Sequence, residues 1–191
     1  MPRKSIDRSL IVQTAAEIAD ADGLSQVTLA AVAERLGIKS PSLYNHVQGL
    51  PGLRTGLAHY GLLQLRESLA RAAVGKSGEA AIDAIGFAYV NFVRQHPGVY
   101  EATMSPPDFN DPDIQAASDS ILELLLAVLG QYKYEQADAF HVVRGLRSLL
   151  HGFATLEMKQ GFRMELERDE SLKRMLHTYV RGLEAAGPGT K

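Results

Sequence analysis

Cysteine is absent from the 191-residue chain. Its absence removes disulfides, thiolate zinc sites, cysteine nucleophiles and thiol-based redox sensing together. Long apolar runs are missing as well, since no stretch approaches the ~18 uninterrupted apolar residues that cross a bilayer. The opening segment MPRKSIDRSLIVQ lacks the apolar core and small-residue cleavage site of a secretion signal, so a cytoplasmic location and no membrane partner are expected. Metal-type spacing is also lacking among the six histidines, His46, His59, His96, His141, His151 and His177. No paired carboxylate or Ser/His/Asp set stands out, so neither a metal site, a cofactor nor catalysis is expected.

Net charge is small, −2 overall, and its distribution is more telling. Residues 1–54 carry six Lys and Arg against five Asp and Glu, and the remainder fourteen against seventeen. Arg3, Lys4 and Arg8 gather before the first helical segment, and Lys39 sits in a turn, where phosphates would be met.

What the chain has in abundance is helical spacing. Ile11, Ala15, Ile18 and Ala19, then Leu29, Val32, Ala33 and Leu36, follow the i, i+3, i+4, i+7 pattern. Breaks at Asp22-Gly23, Gly37, Gly49 to Pro51, Gly75 to Gly78, His96 to Gly98, Pro106 to Pro112, Gly130 and Arg168 to Ser171 divide an all-α chain of about nine helices. Pro51 suits the first turn of a long helix running to Ala73, which is expected to be the rigid fourth helix. The tail Gly187 to Lys191 is expected to be frayed.

The segment TLAAVAERLGIKSPSLYNHV, residues 28–47, reads as a helix, a tight turn and a second short helix. Thr28 is the N-cap candidate and Gly37 the left-handed stop. Ile38 is expected to point into the core, and Ser40-Pro41 to cap and open the second helix. Leu43 and Val47, spaced i, i+4, face inward, leaving Ser42, Asn45 and His46 outward and Tyr44 at the edge. Such a compact polar set can read bases in a major groove, while Tyr hydroxyls and helix N-termini hold phosphates.

These residues resemble the DNA-binding domain of the tetracycline-repressor (TetR) family, above all in the run Ser40-Pro41-Ser42-Leu43-Tyr44-Asn45-His46. The resemblance implies a three-helix helix-turn-helix domain over residues 1–54. It also implies an effector-binding and dimerisation bundle over 55–187, joined to the first part by the long fourth helix. Thr28, Lys39, Ser40, Ser42, Tyr44, Asn45 and His46 would then contact DNA, with Thr28 and Tyr44 mostly on phosphates. Arg3 and Lys4 would add charge. The family usually places a lysine at the start of the fourth helix, where this chain has Leu50, and Arg54 one turn later stands as the compensating cation.

The segment LRSLLHGFATLEM, 146–158, resembles one TetR C-terminal subclass marked by a His-Gly pair, although Arg147 replaces the tryptophan usual there. Phe87, Tyr89, Phe92, Tyr100, Met104, Phe140 and Phe153 concentrate aromatic and soft side chains in this region, with core packing as the bland alternative to a pocket. Arg144, Ser148, His151 and Thr155 form one stripe. The first six of those apolar residues and the stripe are the candidate effector site. His151 has a core or dimer-interface role as its alternative. Leu172, Leu176, Tyr179, Val180 and Leu183 form one apolar face, and Phe162 and Leu166 another, from which a homodimer is expected. The implied function is a repressor that binds a palindromic double-stranded operator as a dimer and is released by a small molecule. The alternatives are a helical ligand-binding protein without DNA and a transcriptional activator.

Overall fold

The computed structural model describes residues 6–186, so Arg3, Lys4 and the tail Gly187 to Lys191 lie outside the described residues. The described residues form eight α-helices, α1 Arg8–Asp22, α2 Leu29–Leu36, α3 Gly49–Ala73, α4 Gly78–Gln95, α5 Pro97–Met104, α6 Pro112–Leu129, α7 Gln136–Met158 and α8 Arg168–Ala186. Three 3-10 segments stand between them, at Leu24–Gln26, Ser40–Asn45 and Gly130–Tyr132, and no strand is found among the described residues. The all-α expectation is met, and the long helix begins two residues earlier than Pro51.

The chain divides into two compact units, one of residues 1–64 and 95–117 and the other of 65–94 and 118–191. The expected boundary at residue 54 therefore falls inside α3 and inside the first unit. The physical reason is that Leu53, Leu57 and Ala58 of α3 are fully buried, so the early turns of that helix share the core around Ile11, Val27, Val32 and Leu43.

In the first unit, α1 starts where the Asp7 carboxylate accepts the Leu10 N–H at 2.8 Å. It buries Ile11, Val12, Ala15, Ile18 and Ala19 along one face. Thr14, on the same face, donates its hydroxyl back to the Leu10 carbonyl at 2.9 Å, which satisfies a buried polar group. Pro97 stands in the first turn of α5, where its missing N–H breaks no helical bond.

In the second unit, α4, α7 and α8 contribute the buried Ile82, Ile85, Leu146, Leu150, Leu172, Leu176 and Val180. Gly86 lets α8 approach α4, since a Cβ there would meet Leu176 Cδ1 at 2.6 Å. The Tyr179 hydroxyl donates to the Val142 carbonyl at 2.6 Å, and burial pushes its pKa up. Arg94 forks onto Glu157, with Nε to Oε2 at 2.8 Å and Nη2 to Oε1 at 3.0 Å, and Nη2 also reaches Asp169 Oδ1 at 2.6 Å. That network ties the C-terminal turn of α4 to α7 and α8, and the bond to Glu157 raises the Arg94 pKa further.

Two expectations are corrected here. The break expected at Arg168 to Ser171 is the first turn of a helix: α8 begins at Arg168, and Asp169 and Glu170 occupy that turn, where the helix dipole favours carboxylates. The connection instead occupies residues 159–167 and opens at Gln160, whose φ is +55. Of the two apolar faces from which a homodimer is expected, Leu172, Leu176, Val180 and Leu183 are buried in one copy of the chain, whereas Tyr179 and Phe162 are half-buried and Leu166 is exposed. Those four side chains are buried within the second unit, with Leu176 packed on Gly86 of α4.

Candidate nucleic-acid interface

Thr28 does cap α2: its backbone is extended and its hydroxyl accepts the Ala31 N–H at 3.1 Å. Gly37 ends the helix in the left-handed region, φ +67 and ψ +32. Its N–H donates to Glu34 O at 3.0 Å while Ile38 N–H donates to Ala33 O at 2.9 Å. This pair of bonds defines a Schellman stop, which brings the residue after the glycine against the last turn. Ile38 is accordingly half-buried.

The second arm is a 3-10 turn, not the α-helix expected. Ser40 does not cap it; Lys39 holds the cap position in extended backbone, no side chain makes a cap bond, and Ser40 and Pro41 form the first turn. Proline removes one donor, and Gly49 at φ +66 begins the next helix four residues after Asn45. Six residues are too few to establish α-helical bonding against the cost of nucleation. Ser42 N–H donates to Lys39 O at 2.9 Å and His46 N–H to Leu43 O at 2.9 Å. Val47 N–H also reaches Leu43 O at 3.0 Å, so the last turn loosens to α-type spacing and carries both Leu43 and Val47 inward.

The result is a segment held by two apolar anchors with its polar side chains in solvent. Leu43 is fully buried and Val47 nearly so, whereas Tyr44 is 63 % exposed. Ser42, Asn45 and His46 are exposed too, as are Thr28 and Lys39. Ser40 and Arg54 are half-buried, and Arg54 Nε is enclosed with no hydrogen-bond partner. An outward row of one phenol, one amide, one imidazole and one hydroxyl supplies donors and acceptors of the kind that base edges and phosphates pair with. A separate depression of about 800 Å³ beside the end of α1 includes Asp22, Glu34 and Arg35 in its lining, a balance of charge unsuited to phosphate.

The expected effector residues divide between the two units. Tyr100 and Met104 belong to the first, the one buried and the other half-buried. In the second, Tyr89 and Phe92 are buried and Phe87 is half-buried. Phe140, Arg144 and Ser148, on the first turns of the α7 stripe, are exposed; only His151 and Thr155 turn partly inward. Thr155 Oγ1 is buried without a hydrogen-bond partner. None of these residues lines the groove of about 540 Å³ formed by Leu149, Arg174, Met175, Thr178, Tyr179, Gly182 and Leu183 along α7 and α8.

A helix, a glycine stop and a short second arm that shows its polar side chains to solvent form a helix-turn-helix on an all-helical chain. Comparison with known proteins agrees. Residues 82–179 match the family described as tetracyclin repressor-like, C-terminal domain. The uncharacterised HTH-type transcriptional regulator YobS of Bacillus subtilis is 38% identical over 183 residues, 95% of each chain. An uncharacterised HTH-type transcriptional regulator of Mycobacterium tuberculosis is 32% identical over 180 residues, 94% of this chain and 82% of that one. In fold, the chain is similar to a TetR transcriptional regulator of Streptomyces coelicolor, with a TM-score of 0.78 at 16% identity over 96% and 100% of the two chains. It is also similar to a Rhodococcus protein of unknown function, with a TM-score of 0.82 at 21% identity over 95% and 97%. The chain belongs to the TetR family of transcriptional regulators. No helix among the described residues is long and apolar enough to cross a membrane.

Proposed function

We propose that the chain is a repressor that binds a palindromic operator as a homodimer and leaves it when a small molecule binds. The observation that carries the DNA half is the segment Ser40–Asn45, anchored by Leu43 and showing Ser42, Tyr44 and Asn45 to solvent, with His46 just beyond it. Ser42, Asn45 and His46 read base edges; Thr28, Lys39, Ser40, Tyr44 and Arg54 meet phosphates, with Arg3 and Lys4 adding charge. Two-fold pairing sets two such segments about 34–36 Å apart, one turn of B-DNA, so the operator mirrors the symmetry of the protein.

Pairing is supported by the open apolar groove along α7 and α8 rather than by Leu172, Leu176 and Val180, which one copy buries by itself. Effector binding is supported by the partly inward His151 and by the unpartnered Thr155 hydroxyl, with Phe87, Tyr89 and Phe92 as the apolar contribution of the same unit. Release follows if the effector favours a second conformer in which α3 has shifted, since a ligand moves an equilibrium only by its differential affinity for the two states.

The test is a duplex selected from a random pool by the wild-type protein. The Asn45 base contact is worth about 1–3 kcal/mol and Tyr44 adds a phosphate contact, so Tyr44→Ala with Asn45→Ala should abolish specific binding and leave weak, salt-sensitive association. Unchanged affinity rejects the assignment of these residues. A broad ligand screen in which nothing alters binding to that duplex rejects the sensing half.

A further inference from the structure

Contacts between Arg94 and Asp169 at one end, and between Glu79 and His177 at the other, set α4 and α8 antiparallel in the second unit. One end is pinned by an arginine. Arg94, in the last turn of α4, forks onto Glu157 and reaches Asp169 in the first turn of α8, and a guanidinium keeps its proton throughout. Midway, the two helices meet closely where a Cβ on Gly86 would lie 2.6 Å from Leu176 Cδ1.

The other end is different in kind. Glu79, in the first turn of α4, accepts from His177 Nδ1 at 2.7 Å, and the pair carries two charges only while the imidazole is protonated. One turn further along α4, Asp83 adds a second carboxylate, whose Oδ1 is enclosed without a hydrogen-bond partner. Burial first and Glu79 second push its pKa up, while Lys173 and His177 across the seam pull it down. Two carboxylates one turn apart on α4 thus stand opposite an ammonium and an imidazole one turn apart on α8. Their balance turns on one proton. With it, charges match; without it, Glu79 and Asp83 share a single cation, and the neutral ring keeps only a weaker hydrogen bond. The neighbouring groups are engaged or fixed. Arg174 and Arg181, within about a turn of His177 on α8, pair with Glu170 and Glu184. Tyr132, which senses Glu79 and Glu184 from the connection between α6 and α7, has its pKa raised by burial and stays a neutral phenol.

We infer that this seam is a proton-operated latch: His177 holds the first turns of α4 while it carries its proton and slackens them on losing it, and the Arg94 end stays fast in either state. The latch contributes fully below the ordinary imidazole range and fades as pH rises through it. Phe87 lies one turn beyond Asp83, so the slackened turns adjoin residues proposed above for the effector. Neither DNA nor effector enters the test, so its failure leaves the repressor reading untouched.

Amide hydrogen exchange at about pH 5.5 and about pH 8, either side of the ordinary imidazole range, reads the two ends of α4 separately once each amide is corrected for its intrinsic rate. Circular dichroism checks that the chain is folded at both. Glu79 and His177 are exposed, which keeps the effect modest: protection of residues 82–86 should fall about two- to fivefold from the lower pH to the higher, while 90–95 hold theirs. His177→Gln can still donate to Glu79 but does not titrate, and should show no such fall. Asp83→Asn should keep it. No fall in the wild type, or an equal fall at both ends, overturns the latch. A fall that survives in His177→Gln overturns it too, and where Asp83→Asn abolishes that fall the switching proton belongs to the aspartate.

Discussion

Leu43 and Tyr44 are neighbours in the reading segment with opposite surroundings, and replacing each by alanine separates anchoring from recognition. Leu43 is 0 % exposed. Full burial of a leucine side chain is worth about 1.5–3 kcal/mol, and the residual cavity brings a buried Leu→Ala change to about 2–5 kcal/mol. The segment is only six residues long, with exposed Ser42 and Tyr44 on either side, so it can settle partly into the gap. The lower part of the range then applies, about 2–3 kcal/mol. Tyr44, 63 % exposed, offers little to lose, and Tyr44→Ala should change stability by no more than about 0.5 kcal/mol. Urea unfolding followed by circular dichroism measures both, and the selected duplex measures binding. The expected pattern is crossed: Leu43→Ala is strongly destabilised, whereas Tyr44→Ala is stable and deficient in binding. A loss below about 1 kcal/mol for Leu43→Ala would refute the anchoring argument, because a fully buried side chain would then be contributing less than its transfer energy alone.

Three further outcomes follow from the second unit. Gly86→Ala forces a Cβ to 2.6 Å from Leu176 Cδ1 on a fully buried leucine, and overpacking of this kind should cost about 1–3 kcal/mol in thermal or urea unfolding. Gln160 holds φ +55 in the turn after α7; Gln160→Gly relieves a left-handed strain of about 1–2 kcal/mol, offset in part by added freedom of the unfolded chain, so melting should rise modestly and a fall would contradict the strain. Burial first, and Glu79 second, raises the Asp83 carboxyl above its ordinary 3.8, and its Oδ1 has no hydrogen-bond partner. A carboxyl with a raised folded pKa favours the fold below its unfolded value and loses that contribution as pH rises through the folded one. Asp83→Asn should therefore raise the melting temperature near neutral pH, the gain shrinking towards the ordinary aspartate range. A gain independent of pH would contradict the sign.

The local geometry of residues 28–47 was largely legible in the sequence, because each signal in it is local. An N-cap hydroxyl, a left-handed glycine and two apolar side chains four residues apart act over distances the sequence displays directly. The backbone type of the second arm was not. Spacing i, i+4 between Leu43 and Val47 is satisfied equally by an α-helix and by a 3-10 turn whose last residue relaxes, and the decision lay with Pro41 and the early restart at Gly49. Asp20, whose carboxylate accepts the Val99 N–H at 2.9 Å, escaped notice for another reason. A carboxylate near the end of a helix reads as solvated surface, and only the fold places it opposite the start of α5. The one local hint was Gly98 directly after Pro97, since a glycine inside a helix start that already has its proline signals a close backbone approach rather than a break.

The apolar face of α8 shows where periodicity stops informing. Leu172, Leu176, Val180 and Leu183 recur at helical spacing, and that pattern states that the face is covered without stating by what. Read as surplus, it pointed to a second copy of the chain; in the structure Leu172, Leu176 and Val180 are 0 % exposed in a single copy. Those three side chains are therefore not free to pair, and on other sides of the same helices Leu149, Met175 and Thr178 line an open groove. Leu156, Met158, Met164 and Leu166 are exposed around the turn that joins α7 to α8. If pairing uses that groove, replacing Met175 with glutamate introduces a charge where the lining is apolar, and sedimentation should show monomers at concentrations where wild type is paired. The same variant should keep its melting profile at low protein concentration, because Met175 is only half-buried within one chain. A variant that stays paired would put the contact elsewhere, and one that unfolds would mean the residue serves the bundle rather than the pair.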